Sequence, residues 1–481
     1  MSPVPEEALR ELGRTEGGAE ALRLLVRDQH TRRLVLLRAL LDAAADTPPA
    51  RRPPGALARL RDDWALLEAA ERADRTAVRT VLLYPLAGPW AQRCLHGLTT
   101  GAPDGGDSPE LRADLDHFGA LAASAAIRAR LPFTGRLTGR GGVLVLPTLG
   151  ALRTGRDEPV PVDVTLRGAE LTLRQADAAP VTVRVYADNP DNPASADAAA
   201  PDVPVIARSG DPRWLPVLAL PPVRPGAAPV PLDDLDPYRT AGTGAARHGL
   251  SAVTRLDARH RTAWARSWAE VEPLLRTGGP YRAEETATLL HCLVPLAPPP
   301  GSTPAGGGPA QCSGTRREAF GAVLTSRPAT AAAFASTLVH ELQHTKLAAL
   351  AALTPLHHED AAPRHFAPWR SDPRPFDGLL QGAYSHIALA DYWQRIALAA
   401  DRLAARDQAW AEHARTHEQV GAVLPVLAGS GALTKEGRVL VNEMIAVYHR
   451  LADHPPPPGH RARAASYVRT ARMIWRQRNA T

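Results

Sequence analysis

The chain has 481 residues, of which 44% are apolar, 22% charged and 5% aromatic, and its 56 Lys and Arg against 50 Asp and Glu leave a formal net charge of +6. This length and apolar content predict a globular protein of about two to three domains. No apolar run approaches the ~20 residues that a membrane-spanning helix needs, and Glu6, Glu7 and Glu11 stand where a secretory signal would be basic and then apolar. We therefore expect a cytoplasmic protein without a membrane partner.

The positive charge is almost entirely arginine, since Lys346 and Lys435 are the only lysines. The arginines alternate with Asp and Glu along the chain instead of forming one basic stripe, which predicts no nucleic-acid partner. Cys94, Cys292 and Cys312 are too far apart for a zinc knuckle or an iron–sulfur site. We expect them to be small buried residues.

The N-terminal part has a helical period. Apolar residues recur at three- and four-residue steps from Glu6 to about Arg130, with one interruption at residues 53–55, Pro-Pro-Gly. Nothing in this stretch groups His, Cys or carboxylate side chains as a reactive site would. We interpret residues 1–135 as a helical N-terminal region that serves as a scaffold or in peptide recognition.

The pattern changes to a period of two after Gly139. Residues 141–147, 162–166 and 181–186 have the apolar alternation or short apolar run of strands and predict a small β-sheet. Residues 187–240 are rich in Pro, Asp and Ala and predict a long loop or linker. We interpret residues 136–240 as a small β-rich region followed by a Pro-rich linker.

Helical periodicity returns at about Leu256 and, after a Pro/Gly/Ala segment at 297–309, continues to the end with a break at residues 455–458. We interpret residues 241–481 as a helical domain. The predicted fold class is therefore α+β and mainly α-helical.

One specific motif stands in this last domain. His340-Glu341-Leu342-Gln343-His344 is an HExxH sequence inside residues 331–352, which contain neither Pro nor Gly. Side chains at positions i and i+4 share one face of a helix, so both imidazoles can bind one metal ion. Glu341 then projects beside them as a base or as a hydrogen-bond acceptor. The motif makes residues 241–481 the predicted metal-binding catalytic domain.

The motif fixes neither the metal nor the reaction, because the third ligand and the open coordination positions decide both. A metzincin is excluded, since Leu347 and Leu350 stand where that class has Gly and His. A thermolysin-like peptidase needs a Glu on the next helix, whereas Glu359 follows Pro355 in a stretch typical of a loop. A zinc hydrolase with Glu341 as general base remains the alternative.

A third ligand is expected on the helix that follows. His386 lies in residues 378–393, which are typical of a long helix, and it can complete a three-ligand face with the HExxH pair. His365 and Asp391 compete for that place. Because adjacent helical residues diverge by about 100°, Glu341 does not easily share a metal with His340.

Three segments resemble the HExxH-type peptide β-hydroxylases that depend on 2-oxoglutarate and act in the biosynthesis of ribosomally synthesised, modified peptides. These segments are SGTRREAFGAVLTSRP (313–328), STLVHELQH (336–344) and WRSDPRPFDGLLQGAYSHIALADYW (369–393). The resemblance implies an Fe(II) enzyme that uses 2-oxoglutarate and O2 to hydroxylate a side-chain β-carbon of a precursor peptide. Similar domains occur beside radical-SAM maturases, and such a partner would be a separate protein because this chain lacks clustered cysteines.

This chemistry makes further demands that the chain can meet. Three ligands on one face, here His340, His344 and His386, leave iron positions open for 2-oxoglutarate and O2. The far carboxylate of 2-oxoglutarate needs a cationic partner, for which Arg370 and Arg374 are the candidates. A third possibility is a non-catalytic module that binds a precursor peptide, with an edge of the strand region as the binding strand.

Overall fold

The computed structural model describes residues 4–49, 52–100, 108–187, 205–239, 250, 252–298, 311–358 and 361–479. Its N-terminal part is helical, as the periodicity predicted. The helices are α1 (Glu6–Gly13), α2 (Ala19–Asp46), α3 (Ala56–Ala73), α4 (Arg75–Leu82), α5 (Ala87–Thr100) and α6 (Pro109–Arg128). Asp74 and Ser108 cap α4 and α6 with side-chain oxygens that accept backbone N–H groups of the first turn.

Antiparallel strands follow, and they include the three that the alternation predicted. The strands are β1 (Phe133–Gly139), β2 (Val143–Leu146), β3 (Gly150–Arg153), β4 (Val160–Arg167), β5 (Glu170–Arg174), β6 (Val181–Ala187), β7 (Val205–Arg208) and β8 (Trp214–Pro216). One sheet has the order β1-β4-β5-β6-β7 and a second has the order β2-β3-β8. In β4 every second side chain is buried, from Val160 to Leu166, which is the physical basis of the alternation.

The linker predicted for residues 187–240 is wrong for its described part, 205–239. Besides β7 and β8, it forms β9 (Leu218–Leu220) and β10 (Val230–Leu232). The acidic turn after β10 is buried. The Asp233 carboxylate in this turn accepts hydrogen bonds from the backbone N–H of Leu235 at 3.0 Å and from the Tyr84 hydroxyl at 2.7 Å. The carboxylate therefore joins this segment to the N-terminal helices.

The C-terminal part contains the helices α7 (Ala258–Ala269), α8 (Val271–Thr277), α9 (Arg282–Leu289), α10 (Ala331–Leu353), α11 (Phe376–Ala399), α12 (Leu403–Gly421), α13 (Leu424–Ala428), α14 (Lys435–Leu451) and α15 (Pro458–Asn479). It also contains β11 (Cys292–Leu296), β12 (Ser313–Gly314) and β13 (Ala322–Ser326). These strands form a mixed sheet of order β12-β13-β11-β10-β9, in which β11 is parallel to β10 and β13. The helical domain predicted here thus also contains strands of a mixed sheet that the sequence did not predict, and the α+β, mainly helical fold class is confirmed.

Helix α10, which carries the HExxH sequence, lies at the centre of the largest apolar core. Thr330 caps its first turn, and the ring of Phe334 packs edge-on against Trp264 and Trp268 at centroid distances of 5.6 and 5.5 Å. The same core includes Leu9, Leu12, Leu22 and Leu25 of α1 and α2. The first two helices therefore pack with the HExxH helix as well as with the rest of the N-terminal region.

The even mixing of arginine with acidic residues does not extend to α15, which has six arginines and no acidic residue in 22 positions. Cys94 and Cys292 are buried as expected, whereas Cys312 is partly exposed. No helix in the described ranges is both long enough and apolar enough to cross a membrane.

Candidate metal centre

Helix α10 presents His340 and His344 with their Nε2 atoms 3.1 Å apart and their rings nearly perpendicular, at 84°. The Nδ1–H of His344 donates to Oε1 of Gln381 on α11 at 3.2 Å, which leaves Nε2 as the lone-pair nitrogen. Metal–nitrogen bonds of about 2.1 Å at roughly a right angle place two nitrogens about 3 Å apart. The pair therefore has the separation of two ligands of one metal ion, as the i, i+4 spacing predicted.

His386 lies beside this pair, on α11. Its ring centroid is 5.4 Å from that of His340. Its Nδ1–H donates to the carbonyl oxygen of Gly382, one turn earlier, at 2.8 Å, so Nε2 is again the atom available to a metal. One face of the ring is covered by the Trp369 indole, stacked at a centroid distance of 4.4 Å.

The three predicted ligands lie close together, but they are not arranged as three ligands of one metal ion. In the described part of the chain, no group of three or more His, Cys, Asp or Glu side chains is arranged to hold a metal ion. Two imidazoles at ligand spacing, and a third with its Nδ1–H already fixed, still make a donor set that suits Fe(II) or Zn(II). The chemistry of the residues present therefore fits a metal.

Burial keeps the three imidazoles neutral, which is the form that binds metals. It lowers the pKa of His340 well below the usual value, and the neighbouring His344, His386 and Arg415 lower it further. Burial also lowers the pKa of His344, and it lowers that of His386 to about 3. A protonated, non-ligating state of these side chains is therefore disfavoured at neutral pH.

Glu341 is buried next to the pair and faces the sheet. Its Oε1 accepts a hydrogen bond from the Ser313 hydroxyl on β12 at 2.7 Å, whereas Oε2 is buried without a partner. Burial raises the pKa of this carboxyl to about 7 although the Ser313 hydrogen bond lowers it. An unsatisfied buried carboxylate oxygen is costly, so Oε2 is the polar atom that a bound group or water would relieve.

Neither competitor for the third ligand position joins the histidine pair. The Asp391 carboxylate is held by Arg395 at 3.2 Å and Arg450 at 3.3 Å, with Arg282 at 4.0 Å. His365 pairs through its backbone with Arg374, and its ring packs edge-on against Phe376. Glu359, considered for a peptidase, lies outside the described residues.

The two predicted arginines differ in their surroundings. Arg370 donates from Nε to Asp372 at 2.8 Å, and its side chain is 40% exposed. Arg374 also contacts Asp372, at 3.4 Å, but its Nε is buried without a partner. The charge of Arg374 contributes to the lowered pKa of His344. Of the two arginines, Arg374 is therefore the one that acts electrostatically on the histidine pair.

Sequence reasoning missed two neighbours of the histidines. Gln381 orients His344, and Arg415 on α12 lowers the pKa of both His340 and His386 by its charge while it pairs with Glu412. The only sequence signal for Gln381 is its place on the His386 helix, and nothing in the sequence signals Arg415.

The back of α10 is held by a buried network of charges. The Lys346 ammonium forms an ion pair with Glu285 and donates to the backbone carbonyls of Thr15 at 3.1 Å and Glu16 at 2.9 Å. Arg282 pairs with Glu285 at 3.0 Å and donates to the same Thr15 carbonyl at 2.8 Å. The network thus ties the HExxH helix to the α1–α2 turn.

The charges in this network balance each other. Burial raises the pKa of Glu285, but the cations of Lys346 and Arg282 outweigh it and lower that pKa overall. Burial lowers the pKa of Lys346 to about 8. Gln343, one residue before His344, donates to Glu285 Oε1 at 3.2 Å, so two α10 side chains, Gln343 and Lys346, have fixed partners in this network.

No protein-family model matches the chain, and no curated protein matches it.

Proposed function

We propose that the chain is an Fe(II)- and 2-oxoglutarate-dependent oxygenase that hydroxylates a side-chain β-carbon of a ribosomally synthesised precursor peptide. The observation that carries the proposal is the meeting of the His340 and His344 Nε2 atoms, 3.1 Å apart, with His386 beside them. The sequence resemblance of the same segments to HExxH-type peptide β-hydroxylases supports the choice of iron over zinc.

The protein's part in this chemistry is to hold and orient. When bound, Fe(II) would activate O2 as the oxidant, and oxidation of 2-oxoglutarate to succinate and CO2 would supply two of the four electrons, the other two coming from the C–H bond that is hydroxylated. His340, His344 and His386 would hold the metal through Nε2, while Gln381 and the Gly382 carbonyl accept the Nδ1–H groups of His344 and His386 and so fix these two rings. The Trp369 indole shields one face of His386 from water.

The cosubstrate carboxylate has a partner of the right charge. Arg374 presents a planar guanidinium, which binds a carboxylate in a bidentate manner. The Nε atom of Arg374 is buried without a hydrogen-bond partner, and the charge of Arg374 lowers the pKa of His344. Arg370, which is already paired with Asp372 near the surface, is the second candidate.

Turnover without the peptide tests this proposal before the substrate is known. The purified protein, supplied with Fe(II), 2-oxoglutarate, ascorbate and O2, is expected to release succinate slowly, and His344→Ala is expected to abolish the release. Arg374→Ala should weaken 2-oxoglutarate binding more than Arg370→Ala does. A protein that forms no succinate and binds no metal would instead be a non-catalytic peptide-binding module.

A zinc hydrolase is the second candidate, and one observation favours it. Glu341 adjoins His340 in the chain, and its Oε2 is buried without a hydrogen-bond partner; as a general base it would accept a proton from metal-bound water. This reading predicts peptide cleavage that needs zinc but neither 2-oxoglutarate nor O2. Glu341→Gln would abolish that activity while metal binding persists.

A further inference from the structure

Helix α15 carries the whole formal charge excess of the protein. It has six arginines and no acidic residue, and without those six the chain has 50 basic and 50 acidic residues. This helix therefore differs from the rest of the chain, in which basic and acidic residues are equal in number. Such a one-sign surface attracts partners of opposite charge.

Four of these arginines form one line along the helix. Arg461, Arg469, Arg472 and Arg476 are separated by eight, three and four residues, so at 100° per residue they fall within an arc of about 80°. Arg461, Arg469 and Arg476 are exposed, and Arg472 is partly buried. We call these four side chains the arginine stripe; at 1.5 Å per residue it is about 22 Å long.

The stripe has no acidic counterpart within the described residues. None of its arginines forms an ion pair with a carboxylate there, whereas arginines of other helices pair with acidic residues one turn away, as Arg32 does with Asp28 and Arg38 with Asp42. No carboxylate of the described residues therefore neutralises the charges of the stripe, and its exposed members Arg461, Arg469 and Arg476 can bind an external anion.

One end of the stripe leads toward the histidines. The Arg472 guanidinium lies over the Phe366 ring at 5.2 Å and donates to the Ala422 carbonyl, and Trp475 contacts the same Phe366 ring. Phe366 is three residues before Trp369, which is stacked on His386. The part of the stripe around Arg472 therefore contacts the chain segment that leads to Trp369 and the candidate metal centre.

We propose that the arginine stripe of α15 binds an acidic segment of the peptide substrate and directs the rest of that peptide toward His340, His344 and His386. This inference rests on the proposed function in that it makes the ligand a substrate. Four guanidinium groups over about 22 Å match an extended peptide of about seven residues that carries several Asp or Glu side chains.

The arrangement favours a peptide over the two other polyanions. The two aromatic side chains beside the stripe, Phe366 and Trp475, pack against each other, and the Arg472 guanidinium covers the Phe366 ring. Stacked bases would need rings that are free of such contacts. The exposed Tyr467 and Ile474 lie about 160° around the helix from Arg469 and Arg472, whereas the exposed Met473 lies about 40° from Arg469. Met473 alone gives the stripe less apolar surface than a helix that binds a membrane surface uses.

Fluorescence anisotropy with a synthetic peptide tests the inference on the full-length protein. The probe is a fluorescein-labelled peptide in which aspartate alternates with leucine, and its competitors are the asparagine analogue, single-stranded DNA, and phosphatidylglycerol vesicles. The triple variant R461E/R469E/R476E is compared with R61E/R72E/R75E, which makes the same charge change on α3 and α4. Circular dichroism verifies that both variants are folded.

We expect the stripe variant to bind the acidic peptide about tenfold or more weakly, the α3–α4 variant to bind like the parent, and the asparagine peptide not to compete. An equal loss of affinity in both variants would mean that only net charge matters, and it would overturn the inference. The inference would also be overturned if DNA or vesicles displaced the labelled peptide at lower concentrations than the unlabelled acidic peptide does.

The binding assay needs no metal, so the two proposals fail separately. A protein that turns over 2-oxoglutarate but does not bind the acidic peptide overturns this inference alone. A protein that binds the peptide through the stripe but forms no iron site overturns the oxygenase alone.

Discussion

The indole of Trp369 is stacked on the imidazole of His386, with ring centroids 4.4 Å apart and ring planes inclined by 23°. The stack depends on Gly382, because a Cβ atom at that position would overlap the indole. The carbonyl of the same residue accepts the Nδ1–H of His386. One glycine therefore both admits the ring that covers His386 and fixes the orientation of that histidine.

Gly382→Ala is expected to displace Trp369 and weaken metal binding at least tenfold, although alanine favours the helix by about 1 kcal/mol. Isothermal titration calorimetry with Ni(II), an oxidation-stable substitute for Fe(II), measures the effect. Gly459→Ala on α15 is the matched control, since its Cβ meets no atom within 4 Å. Unchanged affinity in Gly382→Ala would show that the stack is not part of the site.

Gln381→Leu is expected to reduce metal affinity about 10- to 100-fold, because the residue that accepts the Nδ1–H of a ligating histidine fixes its tautomer and orientation. Gln381→Glu keeps an acceptor oxygen and should retain most of the affinity. The same Ni(II) titration compares the two. If both variants bind alike, the Gln381–His344 hydrogen bond does not orient the ligand.

The buried pair of Lys346 and Glu285 is expected to be strongly coupled. Lys346→Met should lower the free energy of unfolding by about 3–5 kcal/mol, because the buried Glu285 then faces one cation, Arg282, instead of two. Glu285→Leu should be similarly costly.

The double variant restores the charge balance, so it should cost about 1–3 kcal/mol less than the sum of the single variants. Urea unfolding of the four proteins measures the cycle. Additive losses would mean that the two charges act independently.

His413 is expected to make the protein sensitive to acid. It is fully buried, it donates from Nδ1 to the Ala390 carbonyl, and burial together with His417 lowers its pKa to about 4, although the Ala390 hydrogen bond and Asp391 raise it. The unfolded chain then binds more protons than the folded one between about pH 6.5 and 4, so stability is present above this range and is lost as the pH falls through it.

The loss attributable to this one histidine is up to about 1.4 kcal/mol per pH unit. His413→Gln should flatten the pH dependence of the urea midpoint in that range, and exposed His454→Gln is the control. An identical slope in His413→Gln and the parent would contradict the assignment.

The sequence was sufficient for the helices that carry the candidate site. Long apolar periodicity predicts α10 and α11, and the i, i+4 spacing predicts that His340 and His344 face one point, as they do. The C-terminal sheet was missed because β11 and β13 are five-residue strands buried on both faces. Such runs have no alternation that separates them from a buried helix.

The supporting contacts could not be predicted because they join distant parts of the chain. Gln381 is 37 residues from His344, and Lys346 reaches a backbone carbonyl 331 residues away. No local pattern specifies such pairs, which arise only when α1, α9, α10 and α11 share one core. The arginine stripe, by contrast, can be read from the sequence of α15 once its helical bounds are known.

Anaerobic titration of the purified, metal-free protein with Fe(II) and 2-oxoglutarate tests the central claim most directly. We expect a weak visible charge-transfer band that needs both components and disappears in His344→Ala. Absence of the band, together with zinc tightly bound in the isolated protein, would contradict the oxygenase and favour the hydrolase.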